Sequence, residues 1–125
     1  MIDAAELTVQ VSTGRGCTRL PILRRAVAAT ASKADLPIDR IDDAVLILEA
    51  LLADPRSVGT DELHFVLTAR PGSFGLLMGP LPGDEAGRLL TQAALPLVGP
   101  VIERLATTAI TVDGGSHLLI VVDAA

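Results

Sequence analysis

The sequence predicts a single two-layer α/β sandwich, in which helices cover one face of a mixed, mostly antiparallel sheet. The chain has 125 residues, half of them hydrophobic, which is the size of one domain with its own core. Segments with strand and helix periodicity follow one another in the order β-αα-ββ-αα-ββ. Two pairs of adjacent strands read as hairpins, and these favour antiparallel pairing. We therefore expect one α/β domain spanning residues 1–125.

The first half of the chain predicts a strand followed by two helices. Residues 6–12 alternate polar and apolar side chains, as a half-buried strand does. A helix is predicted over 18–33, where apolar residues recur at helical spacing. Asp39 and Asp42 resemble the capping pair of a second helix, which Pro55 ends.

The second half predicts two hairpins separated by two short helices. Asp84 is placed to cap the first of these helices. The predicted elements are strands 62–68 and 74–78 around a turn at Pro71-Gly72, a loop at 79–83, helices over 84–94 and 99–106, and strands 107–112 and 117–122 around a turn at 113–116.

Composition and charge narrow the function classes. The net charge is −5, with no Trp or Tyr, which argues against a nucleic-acid binder. Cys17 is the single cysteine, so no internal disulfide is possible, and a reducing compartment is expected. Residues 1–6 lack the pattern of a signal peptide, and the uncharged runs 71–83 and 89–102 are too short to span a membrane. These features predict a cytoplasmic protein.

One segment is rich in basic residues, although the chain as a whole has a net negative charge. Four of the ten basic residues lie close together, and they form either a solvated helix face or a docking patch for an acidic protein. They are Arg15, Arg19, Arg24 and Arg25. The excess of arginine over lysine, together with abundant alanine, is typical of a GC-rich bacterial genome.

Most residues that could take part in catalysis or ligand binding have a structural explanation. The Gly14-x-Gly16 pair lacks the third glycine of a dinucleotide loop and reads as a turn. Acidic residues at a helix start suit the helix dipole, isolated histidines in strands suit a strand surface, and serines suit turns. On these grounds no metal site is predicted at Asp39, Asp42, Asp43, His64 and His117, and no catalytic set is predicted from Ser73 and Ser116. Cys17 is predicted to be an inert thiol.

Three segments resemble a known family. They are Ile41–Ala50, Gly79–Gly83 and Val101–Ala106, the last of which precedes the final hairpin. In this order they resemble the anti-sigma-factor serine/threonine kinases of the GHKL, or histidine-kinase-like, ATPase superfamily. The resemblance implies a histidine-kinase-like ATPase fold, and a Mg-ATP site between the second helix, the loop after the central hairpin and a later helix start.

The family's helix motif, Glu-Ala-x-x-Asn, is degenerate here. Its register places Glu49 at the acidic position, the family's general base, and Ala53 where an asparagine oxygen would reach Mg²⁺. The chain contains no asparagine at all. Since Mg²⁺ requires oxygen ligands, Ala53 cannot replace that contact.

The two glycine motifs are degenerate as well. Gly79, Leu81 and Gly83 match Asp-x-Gly-x-Gly, so the adenine-reading aspartate is absent. Pro96 and Val98 match the phosphate-facing glycines, with Gly99 one place away, and Pro96 has no N–H to donate. Gly79, Gly83 and Gly99 are thus the remaining candidate nucleotide-binding residues.

The resemblance, with these losses, predicts a regulatory domain that binds a protein partner, either a sigma factor or an anti-sigma antagonist, without ATP, Mg²⁺ or another cofactor. A homodimer paired through the first strand is also expected. One alternative is an active ATP-dependent serine/threonine kinase with Glu49 as its catalytic residue. Another is a small-molecule sensor with an aliphatic cavity beneath the loop at 79–83.

Overall fold

The computed structural model describes residues 6–14, 19–53, 62–93 and 99–124. Within these ranges the chain forms five strands and four α-helices, in the predicted order. They are β1 (Leu7–Gly14), α1 (Arg19–Lys33), α2 (Ile38–Ala53), β2 (Glu62–Arg70), β3 (Ser73–Met78), α3 (Glu85–Gln92), α4 (Val101–Leu105), β4 (Thr108–Val112) and β5 (His117–Asp123). The predictions for Arg15, Gly16, Cys17, Pro55, Pro96 and Val98 lie outside the described residues.

The five strands form one sheet in the order β1-β2-β3-β5-β4. Every neighbouring pair is antiparallel. The mixed α/β class is confirmed, whereas the expectation of a mixed sheet is wrong for these strands. Strands β3 and β4 both run antiparallel to β5, which lies between them, so the helical connection from β3 to β4 joins two parallel strands and crosses over β5.

One face of the sheet carries the core. Phe65, Leu67, Phe74 and Leu76 point to this face, called the covered face here, and each is at most 1% exposed. Helices α1 and α2 pack against each other, and α1 packs on β1 and β2. The core is aliphatic apart from the two phenylalanines, as the composition predicts.

The other face, called the open face, carries an apolar row across four strands. Val66 pairs with Leu77, Leu77 with Leu119, and Leu119 with Ile110. The first three are half-buried, and Ile110 on the edge strand β4 is 45% exposed. The same alternation of side chains that fills the core therefore leaves this row on the open face.

Helix α1 ends in a left-handed cap. Asp35 has a φ of 60°, and the N–H of Leu36 donates to the carbonyl of Ala31 at 3.4 Å. Leu36 is buried, which supplies the hydrophobic contact that accompanies such an ending.

The start of α2 corrects the predicted capping pair. The helix begins at Ile38, so Asp39 lies inside the first turn, and its Oδ1 accepts from the N–H of Arg40 at 3.1 Å. Asp84 does occupy the N-cap position of α3, but its side chain makes no capping hydrogen bond and pairs with Arg88 instead.

Arg40 connects α2 to the end of the sheet. Its Nε donates to the carbonyl of Asp123 at 2.8 Å, and one terminal nitrogen lies 2.7 Å from Asp43 Oδ2. The other reaches Thr107 Oγ1 at 3.4 Å, and that hydroxyl accepts from the N–H of Asp123 at 2.9 Å. One guanidinium thus joins three segments, through the planar fork that distinguishes arginine from lysine.

Candidate functional site

Glu49 is paired with an arginine from the neighbouring helix. Its Oε1 accepts from Arg24 Nε at 3.1 Å and lies 2.9 Å from a terminal guanidinium nitrogen. The Arg24 and Glu49 side chains are 46% and 27% exposed, so the pair lies at the surface between α1 and α2. The candidate general base therefore has a structural role as the partner of Arg24.

The ion pair with Glu49 involves Arg24, one of the four arginines of the predicted basic patch. Arg24 belongs to an ion pair on the protein itself, while Arg25 is exposed. Arg15 and the side chain of Arg19 lie outside the described residues. Of the patch, only Arg25 is both described and open to an acidic partner.

The loop at 79–83 is fastened to the sheet. The N–H of Gly79 donates to the carbonyl of His64 at 3.1 Å, which extends the pairing of β3 with β2. The N–H of Leu81 donates to the carbonyl of Ser116 at 2.7 Å, and the Leu81 side chain is buried. The segment that would hold adenine in the resembling family is thus joined to two strand ends, with an aliphatic side chain packed inward.

Gly79 is required by its surroundings. Its φ is +149°, and a Cβ there would lie 2.7 Å from His117 Cδ2 and 2.9 Å from the carbonyl oxygen of Ser116. Gly83 and Gly99 also have positive φ, but a Cβ on either would meet no atom within 4 Å. Backbone geometry therefore explains these glycines without a nucleotide.

No hydrogen bond links the Glu49 side chain to Gly79, Gly83 or Gly99 within the described residues. The hydrogen bonds of the Glu49 carboxylate go to Arg24. Around the second half of α2 the side chains are apolar and buried, and α4 packs directly against α2. These buried residues are Ala50, Leu51, Leu52, Val101 and Ile102.

Both histidines have serine neighbours. Ser12 Oγ lies 2.6 Å from His64 Nδ1, and Ser116 Oγ lies 2.8 Å from His117 Nδ1. Asp113 Oδ2 lies 3.5 Å from the same nitrogen of His117. In a catalytic triad the carboxylate and the hydroxyl contact opposite ring nitrogens, so this group lacks the arrangement for proton relay.

Within the described ranges, no three histidine, cysteine or acidic side chains are grouped as a metal site would need. Asp43 is paired with Arg40, which accounts for one member of the acidic cluster at the start of α2. None of the helices in these ranges has the length and apolar character that a membrane crossing needs.

A partly open cavity of about 430 Å³ lies between α3, α4 and β4. Its apolar lining comes from Leu90, Ile102, Ala106 and Ala109, and its polar lining from Thr91, Glu103 and Thr107. It does not lie beneath the loop at 79–83, where the sensor hypothesis would place a ligand. Sequence reasoning missed it because it depends on how two short helices meet an edge strand.

The described elements define an α/β domain in which helices accompany a fully antiparallel five-stranded sheet. A scan against protein-family models found no match, and a search of curated proteins found no relative.

Proposed function

We propose that this chain is a cytoplasmic regulatory domain that acts by binding a protein partner and does not use ATP. The sequence resemblance suggests that the partner is a sigma factor or an antagonist of an anti-sigma factor. It also suggests that this chain has a histidine-kinase-like fold. The observation that carries the proposal is the ion pair of Glu49, whose carboxylate lies 2.9 Å from a guanidinium nitrogen of Arg24. Ala53, one turn further along the helix, offers no oxygen ligand for a metal.

The missing nucleotide contacts support this proposal over the kinase alternative. A triphosphate bound with Mg²⁺ needs a metal ligand, a group that reads adenine, and backbone N–H groups near the phosphates. The sequence resemblance implies that Ala53, Gly79 and Pro96 replace the side chains or N–H groups that would supply these contacts. Losing a single hydrogen bond to a charged group costs about 1.5–3 kcal/mol, so losing several abolishes useful affinity.

The surface supports protein binding. The sheet has two edge strands, β1 and β4, and the open face carries an apolar row that ends at the 45%-exposed Ile110. Edge strands and apolar strips are the surfaces through which proteins add strands or pack against one another. The homodimer paired through β1 is retained as part of this proposal.

Calorimetric titration with Mg-ATP tests the choice between partner binding and catalysis. We expect no measurable heat of binding at millimolar nucleotide, and no transfer of labelled phosphate to proteins that co-purify with the chain from its native host. Micromolar affinity that is lost in Glu49→Ala, but kept in the control Glu103→Ala, would contradict the proposal and favour the kinase.

A further inference from the structure

Among the described residues, no strand pairs with the outer edge of β4. The strand reads Thr-Ala-Ile-Thr-Val over Thr108–Val112, and it pairs with β5 on one side only. Native proteins protect such edges with charged residues, proline or bulges. Strand β4 carries no charged residue and no proline, so its main chain is suited to accept another strand.

The cavity of about 430 Å³ adjoins this same edge. Ala109 pairs with Ile120, a buried residue of the covered face, so Ala109 points to the helix side of the sheet and lines the cavity there. A residue of an added strand placed opposite Ala109 would point to the same side. The side chain of the added residue opposite Ala109 would therefore point toward the cavity.

From this juxtaposition we infer that β4 accepts an extended peptide segment of a protein partner as a sixth strand. One large apolar side chain of the peptide enters the cavity between α3 and α4. Main-chain pairing supplies affinity and the cavity supplies selectivity, as in other cases of strand addition. The inference rests on the proposed partner-binding function and assigns a surface to it.

Charge complementarity indicates the flanking residues of that peptide. Glu103 is exposed, lines the cavity, and makes no ion pair with another described residue. Peptide residues two positions from the apolar anchor lie on the same side of the added strand. A lysine or arginine at that position would meet the Glu103 carboxylate, so the favoured partner segment alternates basic and apolar residues on one side.

A second copy of this chain fits the cavity less well. Antiparallel pairing of β4 with its own copy, centred on Ile110, would place a copy of Thr111 opposite Ala109. Threonine is small, so most of the cavity would stay unfilled. A leucine, isoleucine or phenylalanine in a partner peptide fills more of it and buries more apolar surface.

The test titrates the full chain with the synthetic peptide Ac-Thr-Arg-Thr-Leu-Thr-Arg-Thr-NH₂ and monitors binding by two-dimensional NMR. We expect peptide-dependent shifts in the amides of β4 and in the methyl groups of Leu90, Ile102 and Ala109. Replacing the central leucine of the peptide by alanine should weaken binding about tenfold or more, because the buried apolar side chain is lost. N-methylation of the peptide residues that pair with β4 should abolish binding, while N-methylation on the opposite edge of the peptide should not.

Two variants locate the contacts. Ala109→Leu fills the cavity from the sheet side, and should reduce affinity for the leucine peptide to that for the alanine peptide. Ile110→Thr, at the next residue but on the open face, is the matched control and should keep the difference between the two peptides. Glu103→Gln should weaken binding of the arginine-containing peptide about threefold, with a smaller dependence on salt.

The inference would be overturned by an absence of shifts at millimolar peptide, by equal affinity for the leucine and alanine peptides, or by shifts confined to β1. Changes in the β4 resonances with protein concentration alone would also overturn it, since the edge would then pair with a second copy. If Ala109→Leu still captures the native partner, this surface is wrong while the partner-binding function stands. Nucleotide binding in the calorimetric titration would instead remove the proposed function itself.

Discussion

At the scale of single residues, Gly79 shows how the packing around a backbone position can require a glycine. The residue continues β3 beyond Met78, and the ring of His117 lies across the space that a side chain would fill. The carbonyl of Ser116 closes the same space from the backbone. Because backbone atoms cannot rotate away as a side chain can, steric exclusion here is strong.

We predict that Gly79→Ala lowers the free energy of unfolding by about 2–4 kcal/mol, since it combines a strained φ with a steric clash. Gly83→Ala is the matched control, because Gly83 has φ +58° and open space around it. That variant should cost about 1 kcal/mol, the penalty of left-handed backbone alone. Urea denaturation followed by far-ultraviolet circular dichroism measures both, and equal losses would contradict this explanation of Gly79.

At the scale of elements, the guanidinium of Arg40 holds the first turn of α2 against the ends of β4 and β5. Its partners Asp123 and Thr107 lie 83 and 67 residues further along the chain. The side chain is only 20% exposed, so water does not readily replace these contacts. The arrangement fixes where the helix layer lies relative to the far side of the sheet.

We predict that Arg40→Met lowers the free energy of unfolding by about 1–3 kcal/mol, since hydrogen bonds to a charged group are lost. Arg40→Lys should recover less than half of this loss, because an ammonium cannot reproduce the fork. Thermal unfolding monitored by circular dichroism is the measurement.

Arg88→Met is the control for this prediction. Arg88 pairs with Asp84 and Glu85 on its own helix, and its side chain is 48% exposed. The change should stay within about 0.5 kcal/mol, as is usual for surface substitutions. A loss as large as that of Arg40→Met would show that charge number, and not the placement of Arg40, determines stability.

The elements also show which features sequence patterns can predict. Hydrophobic periodicity is local, so the strands and helices were predictable in order, with ends that differ by a few residues. The contacts of Glu49 with Arg24 and of Ser12 with His64 join segments that are distant in sequence, and no local pattern encodes them. The cavity lined by Ile102 also depends on tertiary packing, which is why only the degenerate motif positions could be proposed from the sequence.

At the scale of the whole molecule, the described helices cover one face of the sheet, so its two faces have different surroundings. Successive residues of β3 alternate between them: Leu76 is 1% exposed on the covered face, and Leu77 is half-buried on the open face. We therefore expect substitutions on the covered face to cost more stability than substitutions on the open face.

We predict that Leu76→Ala lowers the free energy of unfolding by about 2–5 kcal/mol, because it opens a cavity in the core. Leu77→Ala, the matched control at the next residue, should cost about 1 kcal/mol, since its side chain is only partly removed from water. Chemical denaturation of both variants is the measurement. Comparable losses would mean that a second layer covers the open face in solution.

The position of β5 has a consequence for how the sheet forms. It is the last strand of the described chain, yet it lies inside the sheet, between β3 and β4. Until β5 joins the sheet, β3 presents an unpaired edge, and β4 has no partner among the other described strands. We therefore expect the folding chain to be most prone to misassembly before β5 pairs, because non-local strand pairing is slow and leaves strand edges exposed.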